Sequence, residues 1–269
     1  MVEFKEASLI AKGKTKEIRE ASESLVYVCS MDNITAGDGA KNNVIAGKAE
    51  AANKTTCNVF ELLERAGVKT HYIRLENKST FLARKLDMIP MEFVVRRIAT
   101  GSYIKRNPEI SEGTVFQNPI FEIFEKDDLN HDPMLALDFV ADTLYRYDSK
   151  KPEAEALIKE ESISISRFAD MKFNTIAEIA FQSVAIFRII EEWWNNLGGT
   201  LYDFKIEFGV DVETGEILLG DVIDNDSWRL RFSGETKDKQ SYRDGTKSLV
   251  DIAKDYAEVA ALTDKFDTF

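Results

Sequence analysis

Charged and apolar side chains alternate strictly along residues 202–208, whose sequence is Tyr-Asp-Phe-Lys-Ile-Glu-Phe. In a β-strand this pattern places Asp203, Lys205 and Glu207 on one face and the aromatic and aliphatic side chains on the other. Such a face is often the solvated side of a sheet, and this segment alone favours that interpretation. The residues that follow decide whether its carboxylates could instead bind a cation.

The chain then turns back and brings a further carboxylate towards Glu207. Glu213-Thr214-Gly215 has the composition of a turn, and residues 217–219, Ile-Leu-Leu, form a predicted return strand. A three-residue loop with Gly215 in the left-handed conformation would place Asp221 directly opposite Glu207. Their Cβ atoms would be about 5 Å apart, and the like charges would repel unless a cation lay between them. A two-residue turn would put Asp221 on the opposite face.

The histidine and cysteine content restricts the kind of metal. The chain has two histidines, His71 and His131, and two cysteines, Cys29 and Cys57. These residues can build neither a multi-histidine site nor a thiolate cluster nor a disulfide framework. Any metal would bind carboxylates, which favours Mg²⁺ or Mn²⁺ over Zn²⁺. We expect both cysteines to be small buried side chains in a reducing, cytoplasmic location.

Two basic segments could bind phosphate. Residues 12–16, Lys-Gly-Lys-Thr-Lys, combine lysine charge with a glycine that allows an anion to approach the backbone closely. Their spacing is not that of a P-loop, and a lysine-rich exposed turn is the alternative. Residues 96–106 carry four basic side chains around a Gly-Ser turn, which suits a phosphate monoester or a carboxylate. A basic surface cluster explains this second segment equally well.

A third segment, residues 221–230, combines three aspartates with an arginine. A polar, capped turn explains part of this composition. It does not explain why Trp228 and Arg229 follow the acidic run directly, so we treat the segment as a candidate part of the site.

The net charge of −12 restricts the partners. Non-specific nucleic-acid binding needs a basic face, so we expect no DNA or RNA partner. Anionic small molecules can still bind where lysines and arginines converge locally. The longest apolar region, residues 181–194, is interrupted by Gln182, Arg188, Glu191 and Glu192, so we expect no membrane span. The first five residues lack the apolar core of a secretory signal.

Hydrophobic periodicity predicts an α+β protein. Strand-like runs around the Gly-Lys turn predict an N-terminal hairpin, and separated hairpins and helices argue against repeated βαβ units. The predicted helices are Lys48–Ala66, ended by Gly67, then Asn174–Asn196 and Lys247–Phe266. Pro90 marks a soft boundary between residues 1–90 and 91–269, because proline cannot donate to a sheet ladder.

Taken together, these segments resemble the family of phosphoribosylaminoimidazole-succinocarboxamide synthase (SAICAR synthetase), an enzyme of de novo purine synthesis. Each motif is weak alone, but the series occurs in family order, covers most of the chain and is highly specific. The motifs are Gly-Lys-Thr-Lys-Glu (13–17), Thr-Ala-Gly-Asp-Gly-Ala (35–40), Met-Ile-Pro-Met-Glu (88–92), Val-Val-Arg-Arg-Ile-Ala-Thr-Gly-Ser (94–102), Lys-Asp-Asp-Leu-Asn-His-Asp-Pro (126–133), Asp-Phe-Lys-Ile-Glu-Phe-Gly (203–209) and Gly-Asp-Val-Ile-Asp-Asn-Asp-Ser-Trp-Arg-Leu (220–230).

The amino-acid sequences of these motifs most resemble the animal form of the family, in which this domain is usually the N-terminal part of a fusion with a carboxylase. A monofunctional enzyme and a domain excised from such a fusion are both compatible with the sequence. The resemblance implies a two-lobed fold, with an antiparallel-sheet nucleotide-binding lobe (1–90) and a larger mixed α/β lobe for substrate and metal (91–269).

The resemblance also implies the reaction. A member of this family joins L-aspartate to the carboxylate of carboxyaminoimidazole ribonucleotide (CAIR) and forms SAICAR, ADP and phosphate. The expected course is phosphorylation of the CAIR carboxylate by ATP in the presence of Mg²⁺, followed by attack of the aspartate amine on the acyl phosphate. The protein would then act mainly by positioning and charge neutralisation.

Roles for individual residues follow from the same resemblance. The implied catalytic residues are Lys205, Glu207 and Asp221, of which Glu207 and Asp221 are also the implied metal ligands. The implied ATP-binding residues are Gly13, Lys14, Lys16, Met88 and Lys126. The implied CAIR-binding residues are Arg96, Ser102, Lys205 and Arg229. The residues expected to orient substrate are Asp38, Asp203, Asp226, Lys239 and Arg243.

Two other functions remain as alternatives. One is another acyl-phosphate ligase or kinase that uses the same nucleotide site, although the sequence lacks the His-Arg-Asp and Asp-Phe-Gly motifs of protein kinases. The other is a catalytically inactive nucleotide-binding or scaffold homologue. The expected partners are the small molecules CAIR and L-aspartate, and a homo-oligomer is compatible with the family.

Overall fold

The computed structural model describes residues 1–37 and 39–267, the side chains at positions 128, 153 and 267 excepted. These residues form two compact units. The first unit contains Met1–Ile89, Ile189–Leu201 and Ile206–Phe269, and the second contains Pro90–Arg188 and Tyr202–Lys205. Helices and antiparallel sheets are both well represented, so the predicted α+β class is confirmed.

The N-terminal part of the first unit is a five-stranded antiparallel sheet with a helix and a separate hairpin. The sheet order is β1-β2-β3-β7-β6, and β4 pairs with β5. The elements are β1 (Leu9–Lys12), β2 (Lys16–Glu20), β3 (Leu25–Ser30), β4 (Asn33–Ala36), β5 (Lys41–Val44), α1 (Lys48–Arg65), β6 (Tyr72–Asn77), β7 (Thr80–Arg84) and β8 (Leu86–Met88). The predicted N-terminal hairpin is β1 and β2, and its register pairs Lys12 with Glu17.

Helix α1 has the predicted bounds to within one residue. Its buried stripe contains the small and branched side chains that the periodicity marked, among them Val59 and Leu63. The Asp32 carboxylate accepts a hydrogen bond from the Ala49 backbone amide at 2.9 Å, which satisfies one of the free N–H groups at the helix start. Gly67 follows the last turn with φ +86°, the left-handed conformation predicted for it.

The second unit is built on a second antiparallel sheet of order β13-β12-β11-β10-β9. Its elements are β9 (Met91–Ile98), α2 (Ser102–Arg106), β10 (Val115–Glu125), β11 (Met134–Asp138), β12 (Thr143–Tyr147), α3 (Glu153–Ala156), β13 (Leu157–Ser162) and α4 (Phe173–Asn196). The last residues of α4, from Ile189 onwards, belong to the first unit. Strand β9 buries alternate side chains such as Phe93 and Val95, as a half-buried strand should.

Helix α4 is long and apolar enough to cross a membrane, by length and composition alone. Core helices of soluble proteins pass the same test, and one stripe of α4, which includes Ile179 and Phe187, is buried in the protein. The sequence analysis predicted no candidate membrane span in this region, and that prediction needs correction. The polar residues that interrupt the region leave its mean hydropathy high enough to pass the test. The predicted bounds of the helix itself are confirmed to within one residue.

The remaining elements return the chain to the first unit. They are β14 (Gly199–Asp211), β15 (Ile217–Gly220), β16 (Trp228–Phe232), β17 (Glu235–Thr236), α5 (Gln240–Asp244) and α6 (Leu249–Thr263). The predicted terminal helix is shorter than expected, since Ser248 caps α6 at its start and a 3-10 turn replaces its last residues.

The compact units do not coincide with the predicted division at residue 90. The boundary after Ile89 is present, but residues 206–269 group with the N-terminal residues rather than with 91–188. The reason is that the C-terminal end packs on α1: Lys54 forms an ion pair with Asp264, and the Asn58 amide donates to the Thr263 hydroxyl. The functional division into a nucleotide lobe and a substrate lobe stays a prediction.

Strand β8 pairs with β14 so closely that Gly209 has no room for a side chain, and the Leu86 side chain also packs closely on Gly220 of β15. A Cβ atom at Gly209 would lie 2.7 Å from the Leu86 Cβ and 3.0 Å from the Asp87 carbonyl oxygen. A Cβ atom at Gly220 would lie 2.8 Å from the Leu86 Cδ1. Both distances are below any normal contact, so the Leu86 side chain occupies the space that two missing side chains leave.

We predict that Gly209→Ala destabilises the protein by about 1–3 kcal/mol, the usual cost of forcing an extra methyl into a packed site. Urea unfolding of the full chain measures this. Gly13→Ala is the control, because a Cβ atom at Gly13 would have its nearest neighbour at 3.5 Å. A Gly209→Ala variant as stable as the wild type would contradict the close pairing of β8 and β14.

Candidate active site

The hairpin of β14 and β15 differs from its predicted register by one residue. Glu207 pairs with Gly220, not with Asp221. The prediction of a three-residue loop was wrong because four residues, 212–215, connect Asp211 to Glu216. The Asp211 carboxylate accepts hydrogen bonds from the backbone amides of Glu213 and Thr214, at 2.8 and 3.4 Å, and so stabilises the four-residue turn. Gly215 is left-handed, with φ +73°, as predicted.

Glu207 nevertheless lies on a buried part of β14. Its side chain is only 2% exposed, and Asp203 on the same strand is 4% exposed. The interpretation of this face as solvated surface is therefore wrong. Burying a carboxylate is costly unless a cation or hydrogen-bond donors compensate it, so this face of β14 is built for charge.

Asp221 lies just past the end of β15, at a backbone bend. Its φ is +61°, a left-handed conformation that aspartate adopts more readily than most residues. Its carboxylate forms an ion pair with the ammonium of Lys16, and its carbonyl oxygen accepts a hydrogen bond from Nε2 of His71 at 3.0 Å. The bend thus joins the predicted phosphate-binding turn to a predicted metal ligand within one unit.

His71 is neutral in this environment. Burial, and secondarily the nearby charge of Lys16, lowers the pKa of His71 to about 3. A carbonyl oxygen can only accept a hydrogen bond, so the Nε2 atom that faces Asp221 carries the proton.

These residues fit Mg²⁺. Among the described residues, no group of three or more histidine, cysteine, aspartate or glutamate side chains is arranged to hold a metal by itself. Mg²⁺ is typically bound by one or two carboxylates together with waters and substrate phosphates, so the predicted pair Glu207 and Asp221 would be enough if a nucleotide supplied the other oxygens. The ammonium of Lys16 beside Asp221 shows that this position already favours a positive charge.

The turn between β1 and β2 carries two more of the predicted nucleotide ligands, Gly13 and Lys14, and a third, Met88, lies on β8. The Gly13 amide donates to the Lys16 carbonyl oxygen at 2.9 Å, which closes the turn. Lys14 is exposed on it. Met88, the predicted adenine contact, is 41% exposed on β8 opposite Gly209.

The acidic run after β15 contains a buried charge cluster around Asp226. Its Oδ2 atom lies 3.3 Å from Nζ of Lys48 and 3.4 Å from Nζ of Lys239, and the Tyr256 hydroxyl donates to Oδ1. Burial opposes ionisation of Asp226, but the two lysines outweigh it and hold the pKa of this carboxyl well below its usual range. Burial, with the charge of Asp226, raises the pKa of Asp224 to about 6. Asp226 is therefore the more acidic member of the pair.

Helix α5 places the two C-terminal candidates beside this cluster. Lys239 caps its start, and Arg243 lies in its last turn and donates to the Gln240 side chain at 3.2 Å. Arg229 on β16 also donates to Gln240, at 3.4 Å. Gln240 thus bridges Arg229 and Arg243, two predicted substrate residues.

In the second unit, Arg96 is the centre of a buried ion network. Its side chain is 2% exposed and pairs with Asp203 and with Glu122, and Glu122 also pairs with Arg106. The interpretation of residues 96–106 as a basic surface cluster is wrong for Arg96 and Arg106, since both are buried. Nη1 of Arg96 also donates to the Thr100 carbonyl oxygen at 3.4 Å, which ties the network to the Gly-Ser turn.

The other predicted residues of this unit lie nearer the surface. Ser102 begins α2, and Lys205 forms an ion pair of 3.1 Å with Glu92. Lys126 is exposed, and its backbone amide donates to the Pro90 carbonyl oxygen. Asp38 lies outside the described residues.

Sequence reasoning missed three residues that these contacts make important: His71, Lys48 and Glu122. Lys48 had a detectable signal, because a lysine in the first turn of a helix opposes the helix dipole and needs another partner. His71 and Glu122 gave no local signal, since their partners lie far away along the chain.

The fold places the chain with the SAICAR synthetases of known structure. One of these, solved in complex with ADP, matches with a TM-score of 0.79 at 28% identity, and the match covers 94% of this chain and 97% of that one. Residues 9–261 match the sequence profile described as SAICAR synthetase. The chain belongs to the SAICAR synthetase family.

Relatives of known name agree with this family. The phosphoribosylaminoimidazole-succinocarboxamide synthase of Herpetosiphon aurantiacus is 37% identical over 266 residues, which are 96% of this chain and 97% of that protein. The human bifunctional phosphoribosylaminoimidazole carboxylase/phosphoribosylaminoimidazole succinocarboxamide synthetase is 44% identical over 238 residues, 87% of this chain and 52% of that protein. The chain thus spans about half the length of the animal relatives it matches.

The ion network of the second unit gives a stability prediction. Glu122→Gln removes the carboxylate that two buried arginines share, and breaking a buried pair in this way costs about 3–5 kcal/mol. Glu92→Gln is the matched control: it breaks the half-exposed pair with Lys205, which is worth roughly 0–1 kcal/mol. Chemical unfolding of both variants measures the difference, and equal losses would contradict a structural role for the network.

Proposed function

We propose that this chain joins L-aspartate to the carboxylate of CAIR at the expense of ATP, forming SAICAR, ADP and phosphate. The observation that carries the proposal is the ion pair between Lys16 and Asp221, which links a phosphate-binding turn to a carboxylate suited to Mg²⁺. Support comes from the Herpetosiphon relative named for this synthase and from the family structure that holds ADP. No observation favours an inactive homologue.

The chemistry explains why ATP is needed. A carboxylate is a poor acyl donor, because the oxygen that must leave is a strong base. In the proposed first step a carboxylate oxygen of CAIR attacks the γ-phosphorus of ATP, and ADP leaves. In the second step the amine of aspartate attacks the carbonyl carbon, the amine loses a proton and phosphate leaves. Each step moves negative charge, so catalysis depends on positioning and charge neutralisation.

The first unit would hold the nucleotide. Lys14 and Lys16 would bind its phosphates, and Gly13 would let the backbone approach them. Glu207 and Asp221 would hold Mg²⁺. When bound, Mg²⁺ neutralises charge on the phosphoryl oxygens that it contacts. Lys16 would leave Asp221 and pair with a phosphate of the nucleotide instead. Asp221 would then be available to Mg²⁺, so the metal and the nucleotide would bind together.

Ser102, Lys205 and Arg229 are the proposed CAIR ligands, since a hydroxyl and cations suit its phosphate and carboxylate. The guanidinium of Arg96 is engaged with Asp203 and Glu122, which favours a supporting role. Through its bond to the Thr100 carbonyl, Arg96 would fix the turn that presents Ser102.

The remaining ligand roles concern the adenine and the orientation of substrate. Met88, exposed on β8, would contact the adenine, and Lys126 would lie near the nucleotide. Asp203 and Asp226 would orient substrate through the cations that they hold, and Lys239 and Arg243 would do so from α5. Asp38 is proposed from its motif alone.

We also propose a cytoplasmic location and no nucleic-acid or membrane partner. Both cysteines are buried free thiols, as a reducing compartment requires. The net charge of −12 disfavours nucleic acid. Assembly into a homo-oligomer is proposed from the family alone.

The direct test is product formation by the full chain from CAIR, L-aspartate and ATP with Mg²⁺, each omitted in turn. We expect SAICAR and ADP only in the complete mixture. ADP formation that depends on CAIR but not on aspartate would still support the acyl phosphate step. ATP turnover without any requirement for CAIR would contradict the proposal.

Glu207→Gln and Asp221→Asn should each lower turnover by about 100-fold or more, the scale seen when a group that stabilises developing charge is removed. Glu213→Gln is the matched control, because it changes an exposed carboxylate in the same hairpin. Steady-state rates at saturating Mg²⁺, with circular dichroism to verify folding, measure the effect. Wild-type turnover in both variants would exclude these residues as metal ligands.

A further inference from the structure

The orientation of the Asp221 carboxylate is not set by the strand before it. Asp221 follows the last residue of β15, and its φ of +61° takes the chain out of the ladder. The left-handed conformation is at Asp221 itself, not at Gly220. Two contacts from outside the hairpin reach Asp221 at this bend: the ion pair with Lys16 and the hydrogen bond from His71.

The main chain of His71 is fixed beside this bend. Its backbone amide donates to the Leu219 carbonyl oxygen at 2.9 Å, and its carbonyl oxygen accepts from the Arg84 amide at 2.7 Å. Thr70 forms a parallel bridge with Leu219 as well. His71 is thus tied to β15 on one side and to the end of β7 on the other.

The imidazole ring is held equally firmly. It packs edge-to-face against Phe60 and Phe81, with ring centroids 5.3 and 5.6 Å away. The residue is 5% exposed, so the ring has no room to turn into solvent. Its Nε2 atom is consequently fixed 3.0 Å from the Asp221 carbonyl oxygen.

We propose that His71 is a positioning residue of the metal site: its Nε2–H fixes the Asp221 peptide and thereby directs the Asp221 carboxylate at the cation. The inference rests on the proposed role of Asp221 as a metal ligand. Without the donor, the part-buried carbonyl of Asp221 would lose its hydrogen bond and the left-handed bend could relax. The carboxylate would then spend less time at the cation, and metal affinity would fall although no ligand had been changed.

Three variants of the full chain separate this role from packing. His71→Phe keeps an aromatic ring between Phe60 and Phe81 but removes the donor. His71→Gln restores a donor, because the glutamine amide nitrogen lies about as far along the side chain as Nε2 of histidine. Phe81→Leu loosens the same aromatic contacts and leaves the hydrogen bond in place. The readouts are the Mn²⁺ dissociation constant with saturating ADP, from the electron paramagnetic resonance of free Mn²⁺, and Tm.

We expect His71→Phe to weaken Mn²⁺ binding about 10-fold, at the low end of the range for partners that orient a metal ligand. His71→Gln should recover most of the affinity, and Phe81→Leu should lower Tm while leaving the affinity unchanged. Wild-type affinity in His71→Phe, or an equal loss in Phe81→Leu, would overturn the proposal. If His71→Phe does not fold, His71→Asn takes its place, because the shorter asparagine amide cannot reach the Asp221 carbonyl oxygen. In that case, Mn²⁺ affinity in His71→Asn as high as in His71→Gln would overturn the proposal.

Asp221→Asn in the same assay separates the proposed role of Asp221 as a metal ligand from the proposed role of His71 in positioning it. Loss of Mn²⁺ binding in Asp221→Asn together with unchanged binding in His71→Phe would refute the role of His71 alone. If the wild type with ADP binds no Mn²⁺, the proposed metal site fails and the role of His71 fails with it.

Discussion

The backbone bend at Gly220 and Asp221 is the constraint on which the first unit's site depends. Leu86 fills the space beside Gly220, and the next residue, Asp221, takes the left-handed conformation. Three separate parts of the chain then meet at Asp221: the turn after β1 through Lys16, the start of β6 through His71, and the hairpin itself. Each of these contacts would be lost if β15 simply continued as a strand.

The ion pairs of the two units, each taken by itself, differ in how deeply they are buried. Lys16 and Asp221 are partly exposed, with side chains 25% and 10% accessible, so their pair can exchange partners at modest cost. The pairs of Arg96 with Glu122 and Asp203 are buried, and separating them would leave uncompensated charge at a cost of several kcal/mol. The first kind suits ligand binding and the second suits support. An acidic chain can therefore take up anionic substrates by exchange of ion pairs, without an excess of positive charge.

Periodicity predicted the elements well because it reports which face of each element is buried. The bounds of α1 and α4, the N-terminal hairpin and strand β14 were all within reach of the sequence. The hairpin register was not, since it depends on whether Asp211 folds back to accept two backbone amides, and the loop composition suits three or four residues equally. His71 and Lys48 were missed for a different reason: their partners are about 150 and 180 residues away, and only the fold brings them together.

The bend also resolves a difficulty in the predicted geometry. Two carboxylates directly opposite each other on neighbouring strands, about 5 Å apart at Cβ, would repel whenever the metal was absent, and the fold would depend on the metal. In the observed register Glu207 faces a glycine instead, and Asp221 meets the ammonium of Lys16. The metal-free protein thus has a cation of its own at Asp221. Because that cation belongs to the proposed phosphate-binding turn, a nucleotide that attracted Lys16 away would also bring the phosphate oxygens that Mg²⁺ needs. Lys16 would exchange Asp221 for a phosphate, and Mg²⁺ would replace Lys16 at Asp221. Because the first exchange favours the second, metal and nucleotide would bind together, whereas two carboxylates paired directly across the strands would have no such link to the nucleotide.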